Sequence, residues 1–281
     1  MKLSVLNLGA GVQSTTLYLM AVAGEVAFDV AIFADTQDEP QAVYRHLSWL
    51  KTLVGPPIVT ASAGRLGDDL IHGRNTTGHR FAAIPAFTTA DEGITRGMTR
   101  RQCSKEYKTE VIGKVIRRDI LGLKPRQRVP RGVTITQALG ITMDEGGRAR
   151  RIARLFAKEY RWSNPVFPLL DRFMTRADCL TWLLERGSVP HDVPRSACVF
   201  CPYHSDAEWQ RVKDDPADWA RAVEIDNALR QSGSVANRDM RQVMYLHESC
   251  KPLSEVVLKP KPRDRQMPMS FYRECEGVCG V

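Results

Sequence analysis

Leu3-Ser4-Val5-Leu6-Asn7-Leu8-Gly9-Ala10-Gly11-Val12-Gln13-Ser14-Thr15 decides how this chain is read. The apolar run Leu3–Leu8 predicts a buried strand. It breaks at two glycines and resumes as a helix over Ser14–Ala23. A strand that feeds a small-residue turn and a helix N-terminus gathers backbone N–H groups and the positive end of a helix dipole at one point, where phosphate can be held. Gly9 and Gly11 let the backbone approach closely, Ala10 and Gln13 complete the turn, and Ser14 and Thr15 offer caps and hydroxyls. The stretch lacks the third glycine of the dinucleotide fingerprint and the Gly-Lys-Ser/Thr of the Walker loop. An ordinary βα turn is the competing reading.

Working outward, the first half alternates. A strand is predicted at Val30–Ala34, a helix at Gln41–Leu53 and a strand at Pro57–Ala61. Residues 64–100 lack periodicity and read as a long loop, before a helix over Ser104–Leu121 and a strand over Val133–Ile141. Helices follow at Asp144–Glu159, Thr175–Arg186, Asp206–Lys213 and Pro216–Gln231. The βαβ rhythm predicts an α/β fold with a doubly wound parallel sheet, Rossmann-like, over residues 1–188. Residues 189–281 read as a mainly helical, cysteine-bearing C-terminal part.

With 281 residues, 43% hydrophobic and 26% charged, the composition is that of a globular protein, and no apolar run reaches membrane-spanning length. No secretory signal precedes the first strand, so a cytoplasmic protein is expected. In that compartment seven cysteines point to metal, redox or sulfur chemistry rather than a disulfide framework. The net charge is +8, yet residues 94–161 alone carry 18 Lys and Arg against 6 Asp and Glu. This band suggests a polyanion, either nucleic acid (DNA or tRNA) or a phosphorylated nucleotide. A solvated helix face is the alternative. Nothing in the sequence fixes the oligomeric state.

The second strand leads into Asp35-Thr36-Gln37-Asp38-Glu39-Pro40, with Tyr44 beyond. Ligands in open parallel sheets sit at the carboxyl ends of strands, so Asp35 and Thr36 should stand beside the glycine turn, placed for ribose, an adenine amine or Mg²⁺. Asp144 and Arg148 follow the strand ending at Ile141 and should face the same edge, where arginine suits phosphate or sulfate; a surface pair is the alternative. Cys198 and Cys201 have the spacing of a metal-binding thiolate pair, and Cys103 opens a helix behind Arg100 and Arg101. Cys179 and Cys250 read as buried and inert. The six histidines are scattered, and none is read as forming a triad with a serine and an acid.

Taken in order, Gly9–Thr15, Asp35–Pro40 with Tyr44, Arg101-Gln102-Cys103 with Tyr107-Lys108, Gly140-Ile141 with Asp144-Glu145 and Arg148, and Cys198-x-x-Cys201-Pro202 resemble the phosphoadenylyl-sulfate reductase-like group of the PP-loop (adenine nucleotide alpha-hydrolase-like) superfamily. The resemblance covers about residues 3–202, and Glu274-Cys275 extends it to the tail. It implies an adenine nucleotide, ATP or a relative, bound at Gly9, Ala10, Gly11, Gln13, Ser14, Thr15, Asp35, Thr36, Asp144 and Arg148, with Asp35 and Arg148 acting in catalysis. It also implies either cleavage of ATP to AMP and pyrophosphate with sulfur transfer, or reduction of adenylyl sulfate to sulfite. Gly9 and Gln13 depart from the Ser-Gly-Gly-x-Asp-Ser loop of the ATP-cleaving branch, which weakens Mg²⁺-assisted cleavage. In cluster-bearing relatives cysteines hold a [4Fe–4S] cluster. Here Cys103, Cys198 and Cys201 would supply three ligands, and Cys275 or Cys279 the fourth, or none. Cys275 is alternatively the nucleophile that attacks sulfur. A zinc site completed by His204 or a tail cysteine, in a non-catalytic nucleic-acid-binding protein, is the remaining reading.

Overall fold

The computed structural model describes residues 1–73, 84–89, 96–231 and 242–259. Its centre is a five-stranded, all-parallel sheet: β1 (Lys2–Asn7), β2 (Val30–Asp35), β3 (Ile58–Ser62), β6 (Thr134–Ala138) and β7 (Asn164–Val166), in the order β3-β2-β1-β6-β7. β1 pairs with β2 from Val5↔Val30 and with β6 from Lys2↔Thr134. The strand order therefore reverses beside β1, and in such sheets the crevice at the reversal is where ligands bind.

Period-two alternation sorts the β1 side chains onto two faces. Leu6 joins Phe33 and Ala138 on one face, beneath α1 (Val12–Val22), α2 (Gln41–Leu50), α6 (Pro168–Asp171) and α7 (Arg176–Glu185). Leu3 and Val5 join Ile32, Ala34 and Ile135 on the other, beneath Val111, Ile112, Val115 and Ile116 of the 104–120 helix. Each such buried aliphatic side chain contributes about 1.5–3 kcal/mol. Helices thus cover both faces, and the expected α/β, Rossmann-like arrangement is present. The 104–120 helix has α geometry only in α4 (Glu110–Lys114); wider π-type turns flank it at Ser104–Thr109 and Val115–Ile120.

Three departures from the sequence reading have physical causes. The 64–100 stretch is not all loop: it contains α3 (Leu66–His72), β4 (Phe87–Thr89) and β5 (Arg96–Met98), elements too short to show a period. β4 pairs antiparallel with β5 and with β8 (Val243–Tyr245). The strand expected to run to Ile141 ends at Ala138, because Leu139 and Ile141 are apolar for a different reason: they pack on Ile152 and Phe156 of α5 (Gly146–Glu159). β7 went unread since it has three residues, one of them Pro165, and lies at the sheet edge where proline is tolerated.

A second apolar cluster joins Leu66, Leu70 and Ile84 to Val199, Trp209 of α8 (Asp206–Asp214), Ile225 of α9 (Pro216–Arg230) and Met244, so residues on both sides of position 188 share one core. Gly67 allows α3 to approach α9 closely, since a methyl group there would lie 2.5 Å from Arg221 Nη2 and 2.8 Å from Ile225 Cδ1. No helix among the described residues is long and apolar enough to cross a membrane.

Candidate functional site

The glycine turn lies at the end of β1, at the strand-order reversal. Its left-handed residue is Ala10 (φ 59°), whereas Gly11 is extended and caps α1 through backbone alone. Ser14, expected as a cap, instead closes the turn on itself. Its Oγ accepts from the Gly9 N–H (3.2 Å) and donates to the Gly11 carbonyl (3.3 Å). Thr15 Oγ1 bonds His46 Nε2 (2.9 Å), and His46 Nδ1 bonds His191 Nε2 (2.9 Å), a chain leading from the turn to an exposed ring. Burial, then His191, lowers the His46 pKa to about 4, so that ring is neutral.

Residues Gly9–Thr15 are all buried. Over them lies a polar network: Arg176 Nη1 donates to Gln13 Oε1 (2.9 Å), Gln13 Nε2 to Glu145 Oε2 (3.5 Å), and Arg148 Nη1 to Glu145 Oε1 (2.6 Å). Asp144 Oδ2 accepts the Arg176 N–H (2.7 Å). The structure thus brings Gln13, Asp144 and Arg148 together as expected residues. It adds Arg176, and it pairs Arg148 with Glu145, its neighbour in the sequence motif, rather than with Asp144. Arg176 left no sequence signal: it is the first residue of a helix whose start is announced by its neighbours, the Thr175/Asp178 capping box.

Asp35 Oδ1 accepts from the Gln37 N–H (2.8 Å) and the Tyr44 hydroxyl (2.9 Å), an interaction that together with burial raises the Tyr44 pKa. Thr36 Oγ1 donates to Glu39 Oε1 (3.2 Å), which also meets Lys108 Nζ at 3.1 Å, both side chains almost wholly buried. Asp38, three residues beyond Asp35, is engaged within the protein. Its carboxylate accepts from the Gly67 N–H (2.7 Å), Arg65 Nε (3.1 Å) and Arg221 Nε (2.8 Å), and its carbonyl accepts the Val199 N–H (2.8 Å). It fastens α3, α9 and the cysteine turn to the end of β2.

That fastening places the thiols. Cys103, Cys198 and Cys201 line one pocket with Thr36, Glu39, Ser104, Lys108 and Arg101. The Cys198 thiol is held protonated, its pKa raised by a hydrogen bond with Cys201, by burial, and by the charges of Cys201, Glu39 and Cys103. Arg101 lies 4.2 Å over the Tyr203 ring at the rim. His204 Nε2 bonds the Cys198 carbonyl (3.0 Å) and the ring stacks edge-on against Trp209, so the histidine weighed as a zinc ligand holds the cysteine turn through that nitrogen. Burial, then Arg195, lowers its pKa to about 4.

Three thiols are a donor set for a soft metal or a cluster. The pocket they line has about 20 Å³ of free space, room for one water. Among the described residues no group of three or more His, Cys, Asp and Glu is arranged so that it could hold a metal ion. Cys275 and Cys279 lie outside the described residues. Cys179 is buried in α7 as expected, but Cys250 is only half-buried, at a left-handed turn position (φ 51°).

One histidine does stand between a serine and an acid, contrary to the sequence reading: His247 Nδ1 meets Ser249 Oγ (2.8 Å) and Nε2 meets Asp206 Oδ1 (3.0 Å). The Ser249 N–H bonds the same Nδ1 (3.1 Å), which makes this a local turn whose lone pair is already engaged. Comparison of the chain with models of protein families, with curated proteins and with solved structures found no match.

Proposed function

We infer that this is an adenine-nucleotide-binding enzyme of the PP-loop, phosphoadenylyl-sulfate reductase-like kind, with nucleotide phosphates at Gly9–Thr15 and a metal or iron–sulfur group at Cys103, Cys198 and Cys201. One observation carries the reading. Thiols from positions 103, 198 and 201 line one gap beside Thr36 and Glu39, at the same sheet edge as the glycine turn. A packing role alone gives no reason to gather three thiols around an ion pair.

The favoured reaction is cleavage of ATP between its α and β phosphates. AMP passes to an acceptor oxygen, pyrophosphate leaves, and a sulfur nucleophile then displaces AMP. Glu145, next to Gln13, supplies the carboxylate that the loop itself lacks and could hold Mg²⁺ with Asp144. Arg148 and Arg176 are the cations for the charge developing on phosphate. Phosphate entry requires Arg176 to exchange Gln13 for the anion. Asp35, at the end of β2, is placed for the ribose or adenine edge. A bound iron–sulfur group would supply sulfur or electrons; the chain's own contribution is the Lys108–Glu39 pair that sets the charge beside it.

Reduction of adenylyl sulfate is the second reading, favoured by Gln13 in place of an acid and by two arginines that suit sulfate. Anaerobic purification with iron and zinc analysis, followed by assays of pyrophosphate release from ATP and of sulfite release from adenylyl sulfate, separates the readings. Pyrophosphate from protein carrying about four irons per chain supports the first. Sulfite without pyrophosphate supports the second. Colourless protein with one zinc and neither activity overturns both.

A further inference from the structure

The basic band of the sequence does not form one surface. Lys108 is buried against Glu39, Arg148 against Glu145, and Lys105 pairs with Glu159 (2.8 Å). Five other cations of the band line an open groove of about 250 Å³ at the far end of the 104–120 helix. Lys114, Arg117 and Arg118 come from the helix, and Lys124 and Arg126 from the turn that follows it, against one carboxylate in the lining, Glu110. Arg126 is held in a left-handed conformation (φ 65°), and Arg117 donates to the Gln127 carbonyl (2.6 Å), so the turn is tied to the helix.

Two aromatic rings complete the groove. Tyr160 and Trp162 stand 6.5 Å apart, edge to face, on the segment entering β7, and the Arg117 guanidinium lies 5.9 Å from the centre of the Trp162 ring. Both rings are only partly buried. Burial, with Glu110 and Glu159 nearby, raises the Tyr160 pKa to about 12, so its hydroxyl remains a donor. Phosphate contacts from lysine and arginine combined with an aromatic face for an unpaired base are what a single strand of nucleic acid requires. A duplex keeps its bases stacked and leaves the rings unused. An acidic peptide would use the cations but not the rings.

We propose that this groove binds single-stranded nucleic acid, with one unpaired base against Trp162 and Tyr160 and the flanking phosphates on Lys114, Arg118, Lys124 and Arg126. The helix that floors it also carries Ser104 and Lys108 at the thiol pocket. Groove and pocket thus share one helix, which sets the spacing between the docked base and the thiols. The groove stands whatever the glycine turn binds.

The test uses the full chain and a fluorescein-labelled 12-nucleotide strand, as oligo(dT) and oligo(U), followed by anisotropy across a salt series. Wild type binds both strands. The exposed triple variant Lys114→Glu/Arg118→Glu/Lys124→Glu weakens binding at least 100-fold and flattens the log–log salt slope by about 2. Trp162→Ala weakens it about tenfold or more, and Trp162→Phe, which keeps a ring and guards against a folding artefact, restores most of it. Ser14→Ala, at the glycine turn, leaves binding unchanged, so a failed nucleotide reading does not disturb this result. Any of four outcomes overturns the proposal: no strand binding by wild type, equal binding by the triple variant, a duplex bound as tightly with the same Trp162 dependence, or displacement by AMP or polyglutamate at equal phosphate or carboxylate concentration.

Discussion

The glycine turn and the thiol pocket share one sheet edge but are built in opposite ways. In the turn, Ser14, Thr15 and Gln13 already have partners within the protein, and Gly9–Thr15 is buried throughout. The pocket keeps a small free space lined by three thiols, with Arg101 at its rim and a buried Lys108–Glu39 pair in its wall. A polar loop that satisfies itself can stay folded without ligand, but it must trade partners to bind one. The pocket's cysteine turn is held at the end of β2 through Asp38, which fastens three other elements there. The first should respond to mutation through ligand exchange, the second through metal content and stability.

The largest effect expected is loss of the metal. Cys198→Ser should leave protein purified without oxygen essentially metal-free, while Cys179→Ser, in the core of α7, should retain it. Equal metal content in the two variants would break the distinction between pocket and core. Next comes the ion pair. Glu39→Ala strands the Lys108 ammonium in the interior and should cost about 3–5 kcal/mol in urea unfolding. A cost below about 1 kcal/mol would mean that the wall of the pocket is already wet.

Acid should strain both regions through their neutral histidines, His46 behind the turn and His204 under the cysteines. With folded pKa values near 4 against about 6.5 in the unfolded chain, the unfolded state binds more protons between those values. Stability is therefore full above pH 6.5 and falls as pH drops towards 4, by on the order of 3 kcal/mol for each ring. His46→Gln should remove about half of that slope; an unchanged slope would free the turn from any dependence on His46. The smallest effect sharpens the ligand-exchange idea. Arg176→Ala should weaken ATP binding in calorimetry by about tenfold or more, the worth of a charge-assisted hydrogen bond. Tighter binding would mark Arg176 as a latch that competes with phosphate.

Much of this was legible in the chain itself. The short apolar runs Leu3–Leu8 and Val30–Ala34 marked strands with two buried faces, and the glycines at 9 and 11 marked where the first strand had to turn, because those signals are local and need only a few residues. The pairing of residues 103, 198 and 201 was legible only as three cysteines of suggestive type. Their meeting depends on Asp38 binding Gly67, Arg65, Arg221 and Val199, contacts that span up to 183 positions and leave no period. The same limit hid the fate of the charges. Sequence gives Lys108 and Lys114 the same sign and the same helix, but one lies under Glu39 and the other in open solvent. The order of apolar segments determined that the chain is α/β, and composition that it carries a surplus of cations and thiols. Only tertiary packing decided which of them are spent holding the fold together and which face a ligand, because desolvation and pairing are set by neighbours that the linear order does not reveal.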